Sequence, residues 1–147
     1  MFKRSLLLML VAGALLSAAC SGFRTAETVA NLFNGDALIA GLTNDLGIDA
    51  RQAAGGVGSI LSFAKSSLAA ADYATLARLL PAADDYLEVA REAGLLTIPI
   101  TNATRLSNEM GKLGFTPTTA TKLYSELGGY LGEVGGPSAR DKLMNLL

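Results

Sequence analysis

Histidine and tryptophan are absent from this chain, and 147 residues include one cysteine. Without histidine, the commonest general base near neutral pH and the commonest metal ligand are both missing. A single cysteine cannot close an intramolecular disulfide. Charge is sparse, at 17% of residues against 50% apolar. That is the balance of a slightly greasy globular chain, not of a disordered one.

What the chain does have is concentrated first at its N-terminus. Lys3 and Arg4 form a positive n-region, and Leu6 to Leu16 is apolar without a charge. This is the length of a signal h-region and too short to span a bilayer comfortably. Ser17, Ala18 and Ala19 are small, as a signal peptidase cleft requires, and the lone Cys20 follows at once. The pattern resembles a bacterial lipobox, whose cysteine receives a diacylglyceryl group before cleavage. Ser17 departs from it, standing where lipoboxes usually carry Leu, Val or Ile. Ser17-Ala18-Ala19 also suits ordinary signal peptidase, so plain secretion is the rival outcome. The expected division is a signal peptide over 1–19, a lipid-anchored tether over 20–35 and a helical domain over 36–147. Each buried acyl methylene contributes about 0.8 kcal/mol, so two or three chains hold a protein firmly where one does not. Ser21 follows the cysteine instead of aspartate. In a Gram-negative cell, resemblance to sorted lipoproteins implies the outer membrane, facing the periplasm.

Loss of residues 1–19 would leave 128 residues, enough for one domain with a real core. Removing Lys3 and Arg4 from the 12 basic residues leaves 10 against 13 acidic, a net charge of −3. That argues against nucleic acid as a partner and against electrostatic docking on anionic lipid.

Apolar spacing predicts an all-α domain, a bundle of six or seven short helices. Ala26, Val29, Ala30 and Phe33 have helical spacing inside the tether, which leaves two states open there, extended or coiled onto the domain. Asp36 to Leu46 is a helix with Leu38, Ile39, Leu42 and Leu46 on one face, and Gly47 stops it. Asp49 and Gln52 have capping-box spacing for the next helix, which runs to about Ser67. Its face is Ala53, Val57, Ile60, Leu61, Ala64 and Leu68. A short helix over Asp72–Leu80 ends at Pro81. Asp84 to Ala93 is a fourth helix, with Asp84 and Asp85 complementing its dipole. Leu95, Leu96, Ile98, Pro99 and Ile100 form an apolar connection, expected to be buried as it crosses between halves; the rival is an exposed patch touching lipid or a partner. Asn102–Leu113 is a fifth helix. Thr116 caps the sixth, with Pro117 at its first position. The stripe of this helix is Ala120, Leu123, Tyr124, Leu127, Tyr130, Leu131 and Val134. Gly135 and Gly136 end it, and Pro137 opens a last helix with Ala139, Leu143, Leu146 and Leu147 inward.

Few side chains suggest chemistry. Gly55, Gly56 and Gly58 each cost about 1 kcal/mol against alanine in a helix. No strand precedes them and no Gly-Lys-Ser/Thr closes them, so close helix-to-helix approach explains them better than a phosphate loop. Asp85, Glu88 and Glu92 share a helix face, where a solvated acidic surface is the simpler reading than a metal site. Ser62, Lys65, Ser66 and Ser67 form the only nucleophile-like cluster, most simply solvated polar residues. No catalytic, cofactor-binding or metal residue is expected.

Leu46-Gly47-Ile48-Asp49 and Leu113-Gly114-Phe115-Thr116 match at an offset of 67, with Ala53 falling on Ala120 and Ile60 on Leu127. The two halves, about 36–80 and 102–147, read as related three-helix units that should pack together. The stretch LTNDLGIDARQAAGGVGSILSFAKSSL, followed by DYATLARLLP, resembles the VcgC/VcgE-type family of bacterial envelope proteins, a domain of unknown function. GFTPTTATKLYSELGGYL is similar to that family's second block. These motifs are turns, glycines and apolar faces. The resemblance therefore implies an exported helical protein and transfers no catalytic residue.

The first functional reading is a lipid-anchored helical protein of the bacterial envelope that acts by contact with another envelope protein, held to the membrane through lipid on Cys20. The second is a module holding an acyl chain or other small apolar ligand, with the glycine-rich helix, Tyr124, Tyr130 and the 95–100 segment as its lining. An enzyme would have to run on carboxylate, Lys, Ser or Tyr alone and is not expected. Oligomeric state leaves no mark in the sequence.

Overall fold

The computed structural model describes residues 25–147, so the signal-like segment and Cys20 lie outside the described residues. Seven helices follow in order: α1 Ala26–Leu32, α2 Ala37–Leu46, α3 Ala50–Ser67, α4 Ala70–Leu79, α5 Ala83–Glu92, α6 Ala103–Lys112 and α7 Pro117–Met144. Among the described residues there is no strand. The fold is the expected all-α bundle.

Local chemistry starts and stops most of these helices where the sequence places the signals. Asp36 Oδ1 accepts from the Leu38 and Ile39 amides at 2.9 and 3.2 Å. At α3 the capping box is complete: Asp49 Oδ1 accepts from the Gln52 amide at 2.8 Å, and Gln52 Oε1 accepts from the Asp49 amide at 3.1 Å. Thr116 caps α7, with Pro117 at the first position. Gly47 and Gly114 hold φ of 64° and 85° at the two Leu-Gly turns, a conformation that costs a Cβ-bearing residue dearly.

The centre of the molecule is α3. A surface helix buries one stripe, but α3 is covered on nearly all sides, with Ala53 through Leu61 buried without interruption. Its main neighbour is α5, and α1, α2, α4, α6 and α7 also touch it. The glycines make this possible. A Cβ at Gly55 would stand 3.1 Å from Leu113 Cδ1, and one at Gly56 would stand 2.8 Å from Leu123 Cδ2. A Cβ at Gly58 would stand 2.0 Å from the Tyr86 carbonyl oxygen. Two glycines thus admit α6 and α7, and the third admits α5.

Of the two states left open for the supposed tether, the structure has the helix. Val29 and Phe33, one turn apart, are buried in the main core, and α1 packs on α3. α1 is thus packed into the same core as the helices that follow it. The connection over 94–101 divides between its two readings: Leu95 and Ile100 are buried, whereas Ile98 is 53% exposed. Val134 was expected inward and is 47% exposed. The last turn before the break presents Gly135 to α4 instead, where a Cβ would meet Leu79 Cδ1 at 2.2 Å.

The two halves carry the same order of a ten-residue helix, a Leu-Gly turn and a longer helix. α2 packs on α7 as well as on α3, and α6 packs on α3 as well as on α7. Gln52 Nε2 donates to the Leu113 carbonyl at 2.8 Å, so the capping residue of one half also ties down the turn of the other. Within α7, Gly136 has φ 78° and ψ 177° and divides the helix into arms over 117–135 and 137–144. The second arm folds back, placing Met144 Sδ 2.7 Å from where a Gly128 Cβ would be. Lys142 Nζ reaches Asp72 Oδ1 of α4 at 2.5 Å. Because the Gly136 conformation is open essentially to glycine alone, Gly136→Ala is expected to lower stability by about 1–3 kcal/mol. A fall in the urea midpoint at constant m-value checks this; an unchanged midpoint would show that the break tolerates a side chain.

Candidate functional site

Two features that stand apart in the sequence meet in space. Ser62, Lys65 and Ser66 occupy the C-terminal half of α3, and the connection after α5 brings Leu96 and Pro99 alongside them. Leu87 and Arg91, one turn apart on α5, complete the wall of an open groove of about 320 Å³. The three elements converge because Gly58 lets α5 lie against α3 and because Leu95 and Ile100 are buried. Those two anchors hold the intervening residues at the rim. Ser67 is exposed and lies off the lining.

The groove has a cationic edge and an apolar wall. Lys65 Nζ lies 5.9 Å from the centroid of the Tyr73 ring. Burial pushes the Tyr73 hydroxyl above its usual pKa, and the charge of Asp84 adds to this. Arg91 Nη1 pairs with Glu88 Oε2, an exposed contact. Ser66 Oγ donates to the Ser62 carbonyl at 3.1 Å. That hydroxyl is therefore engaged with the backbone. The groove offers cations beside apolar surface more than it offers a prepared nucleophile.

The remaining candidates are placed as follows. Asp85 is exposed, Glu88 pairs with Arg91, and Glu92 is half-buried. Among the described residues, no three His, Cys, Asp or Glu side chains are grouped to hold a metal ion. The lining expected for an apolar cleft is not brought together. The three glycines of α3 face Leu113, Phe115, Leu123 and α5. Tyr130 lies instead in a groove of about 180 Å³ between α2 and α7, whose rim includes Glu126 and Glu133. Tyr124 is half-buried, and burial raises its pKa. A third groove, of about 400 Å³, lies among α1, α2 and the start of α3, with Phe33, Ile39 and Ile48 in its lining.

Sequence reasoning missed Tyr86 altogether. Its ring stacks on Phe33 with centroids 4.9 Å apart, and its hydroxyl donates to Asp36 Oδ2 at 2.5 Å. The same carboxylate caps α2 through its other oxygen, so one side chain of α5 fastens α1 and α2 together. Burial, then the bond to Asp36, raises the Tyr86 pKa far above the usual 10.0. Arg91 and Leu87 were likewise passed over. The spacing of Tyr86, Val89 and Ala90 marks an inward face of α5, but nothing local says that Leu87 and Arg91 border a groove.

A bundle of short helices wound about a glycine-rich central helix is the class that this geometry defines. The chain belongs to the family described as protein of unknown function VcgC/VcgE (DUF2780), whose model matches residues 11–147. No curated protein and no solved structure matches the chain.

Proposed function

We propose that this protein is a lipid-anchored helical domain of the bacterial cell envelope that acts through contact of its outer surface with another envelope protein. The observation that carries the contact reading is the filled interior around α3, where Leu113, Leu123, Phe115 and the α5 backbone at Tyr86 occupy the space beside its three glycines Gly55, Gly56 and Gly58. Interactions with other molecules then fall to the surface. Among the described residues, no helix is long and apolar enough to cross a membrane, and in this reading the attachment is through lipid on Cys20. The folded domain starts close to that residue. Thr25 already caps α1, and at roughly 3.5 Å per residue the five steps from Cys20 reach about 18 Å. An anchored domain would work at the bilayer surface, facing the periplasm from the outer membrane in a Gram-negative cell.

Native mass spectrometry of protein gently extracted from its own membranes tests both parts. The expected result is a mature N-terminus at Cys20 carrying acyl mass, with a second polypeptide retained. Cys20→Ser is expected to remove the acyl mass and release the protein from the membrane fraction. An unmodified Cys20 or a Ser21 start would overturn the anchor.

A second reading, a module for an acyl chain or other apolar ligand, is favoured by the groove between α3 and α5. Its lining differs from the one expected from sequence, since only Leu96 and Pro99 of the 95–100 segment take part. A stoichiometric apolar mass beyond the covalent chains would support it.

A further inference from the structure

We propose that the groove between α3 and α5 binds a single-chain anionic amphiphile, an unbranched alkyl carboxylate, with its head at Lys65 and Arg91 and its chain against Leu87, Leu96 and Pro99. This rests on the second reading above and gives that reading a place and a ligand class.

Charge selects the sign of the head. The whole chain carries a slight negative net charge, −1, with pI about 5.3, so its overall charge does not draw anions in. In this groove, however, two cations from different helices share one lining. Lys65 is an exposed ammonium whose aromatic contact, at 5.9 Å, lies near the outer limit for a cation over a ring. It keeps three donors for a ligand. Arg91 is engaged by Glu88 through Nη1, but a guanidinium has five N–H donors and can serve a second carboxylate. The hydroxyl of Ser62, one turn before Ser66 on the same lining, adds a neutral donor.

The opposite wall selects the tail. Leu87 and Leu96 are half-buried, and Pro99 is exposed beside Ile98. Ile98 is the most exposed large apolar side chain among the described residues. An alkyl chain laid there would cover apolar surface that now meets water. The volume, about 320 Å³, sits at the small end of the roughly 300–1,000 Å³ typical of small-molecule sites. That suits one chain of medium length and not a two-chain lipid. The occupant is therefore a free fatty-acid-like molecule and not a patch of bilayer.

The test uses the full chain carrying Cys20→Ser, so that covalent lipid and detergent do not compete. Sodium decanoate, octanoate, acetate and decyltrimethylammonium are titrated below their micelle concentrations, by calorimetry and by amide shifts in the NMR spectrum. Decanoate is expected to bind one to one, shifting amides over 62–66 and 87–99. Each added methylene is expected to tighten binding about 2–4-fold, because it removes apolar surface from water. Decyltrimethylammonium is expected to bind at least about 10-fold more weakly than decanoate, as unlike charges near a surface attract and like charges repel. Lys65→Glu and Arg91→Glu, both at exposed positions, are each expected to weaken decanoate about 10-fold without altering the thermal midpoint by more than a few degrees. Lys65→Gln should fall between wild type and Lys65→Glu.

If decanoate binds but these variants leave it unchanged, the groove is the wrong place while the ligand-binding reading stands. If none of the alkyl probes binds, the ligand-binding reading fails with it. Equal affinity for acetate and decanoate would make the site a simple anion contact and overturn the proposal. So would binding to anionic vesicles without binding to monomeric decanoate, which would mark a bilayer-facing surface.

Discussion

Replacing Gly58 with alanine is expected to destabilise the protein by about 3 kcal/mol, at the upper end of overpacking effects. The added Cβ would lie 2.0 Å from the Tyr86 carbonyl oxygen, 2.6 Å from its carbonyl carbon and 2.9 Å from Ala90 Cβ. Two of these are backbone atoms of a helix, which cannot turn aside as a flexible side chain can. α5 would have to move bodily, opening its contact with α3 and straining the Tyr86 bond to Asp36. Alanine's better helix propensity offsets about 1 kcal/mol of that cost, which is too little to reverse the sign. Gly129→Ala supplies the control. No heavy atom lies within 4 Å of a Cβ there, so propensity alone acts and stability is expected to rise by about 0.5–1 kcal/mol. Urea unfolding of the two variants beside wild type decides the matter. A Gly58→Ala midpoint equal to wild type would mean that α5 does not sit against α3 at this distance.

Tyr86→Phe is expected to cost about 1.5–3 kcal/mol, the range for a hydrogen bond to a charged group. The ring contact with Phe33 survives in that variant, and only the hydroxyl is lost from Asp36. The effect should be local, with faster amide exchange in α1 and α2, the elements that Tyr86 fastens to α5. Wild type should also show a distinctive response to alkali. The folded state binds the Tyr86 proton more tightly than the unfolded state does, because burial disfavours the phenolate and ionisation would also lose the hydroxyl's bond to Asp36. The stabilisation is complete below the unfolded value of about 10 and is lost as pH rises above it. Tyr73 and Tyr124 are shifted in the same direction, so Tyr86→Phe is expected to make the alkaline fall shallower without abolishing it. Equal slopes in the two proteins between pH 9 and 11 would show that the Tyr86 hydroxyl does not carry this linkage.

These two positions also show where reading the chain succeeds and where it stops. Gly58 stood out as a glycine inside a helical pattern, and close approach by another helix was the right explanation. Its partner was not legible, because Tyr86 lies 28 residues further on in an acidic helix that reads as surface. The acidic side chains of α5 obscured its other face. Asp84, Asp85, Glu88 and Glu92 all carry charge, yet Tyr86, Val89 and Ala90 between them are buried against α3. The apparent tether was ambiguous for a related reason. A seven-residue helix has little stability of its own, and α1 exists because Val29 and Phe33 find a core that other elements provide.

The sequence alone determined the class of fold, the Leu-Gly turns, the caps at Asp49 and Thr116, the break at Gly136 and the family to which the chain belongs. Each of these depends on residues within about four positions of one another, or on recurring patterns, so local conformational preference and hydrogen bonding settle them. Only the tertiary structure decided that α3 is enclosed and that α1 joins the domain. It likewise brought Ser62, Lys65 and Ser66 into one groove with Arg91, Leu96 and Pro99. Those outcomes depend on which faces meet, and a lysine or serine on an outward helix face has the same local pattern whether water or a neighbouring helix lies opposite.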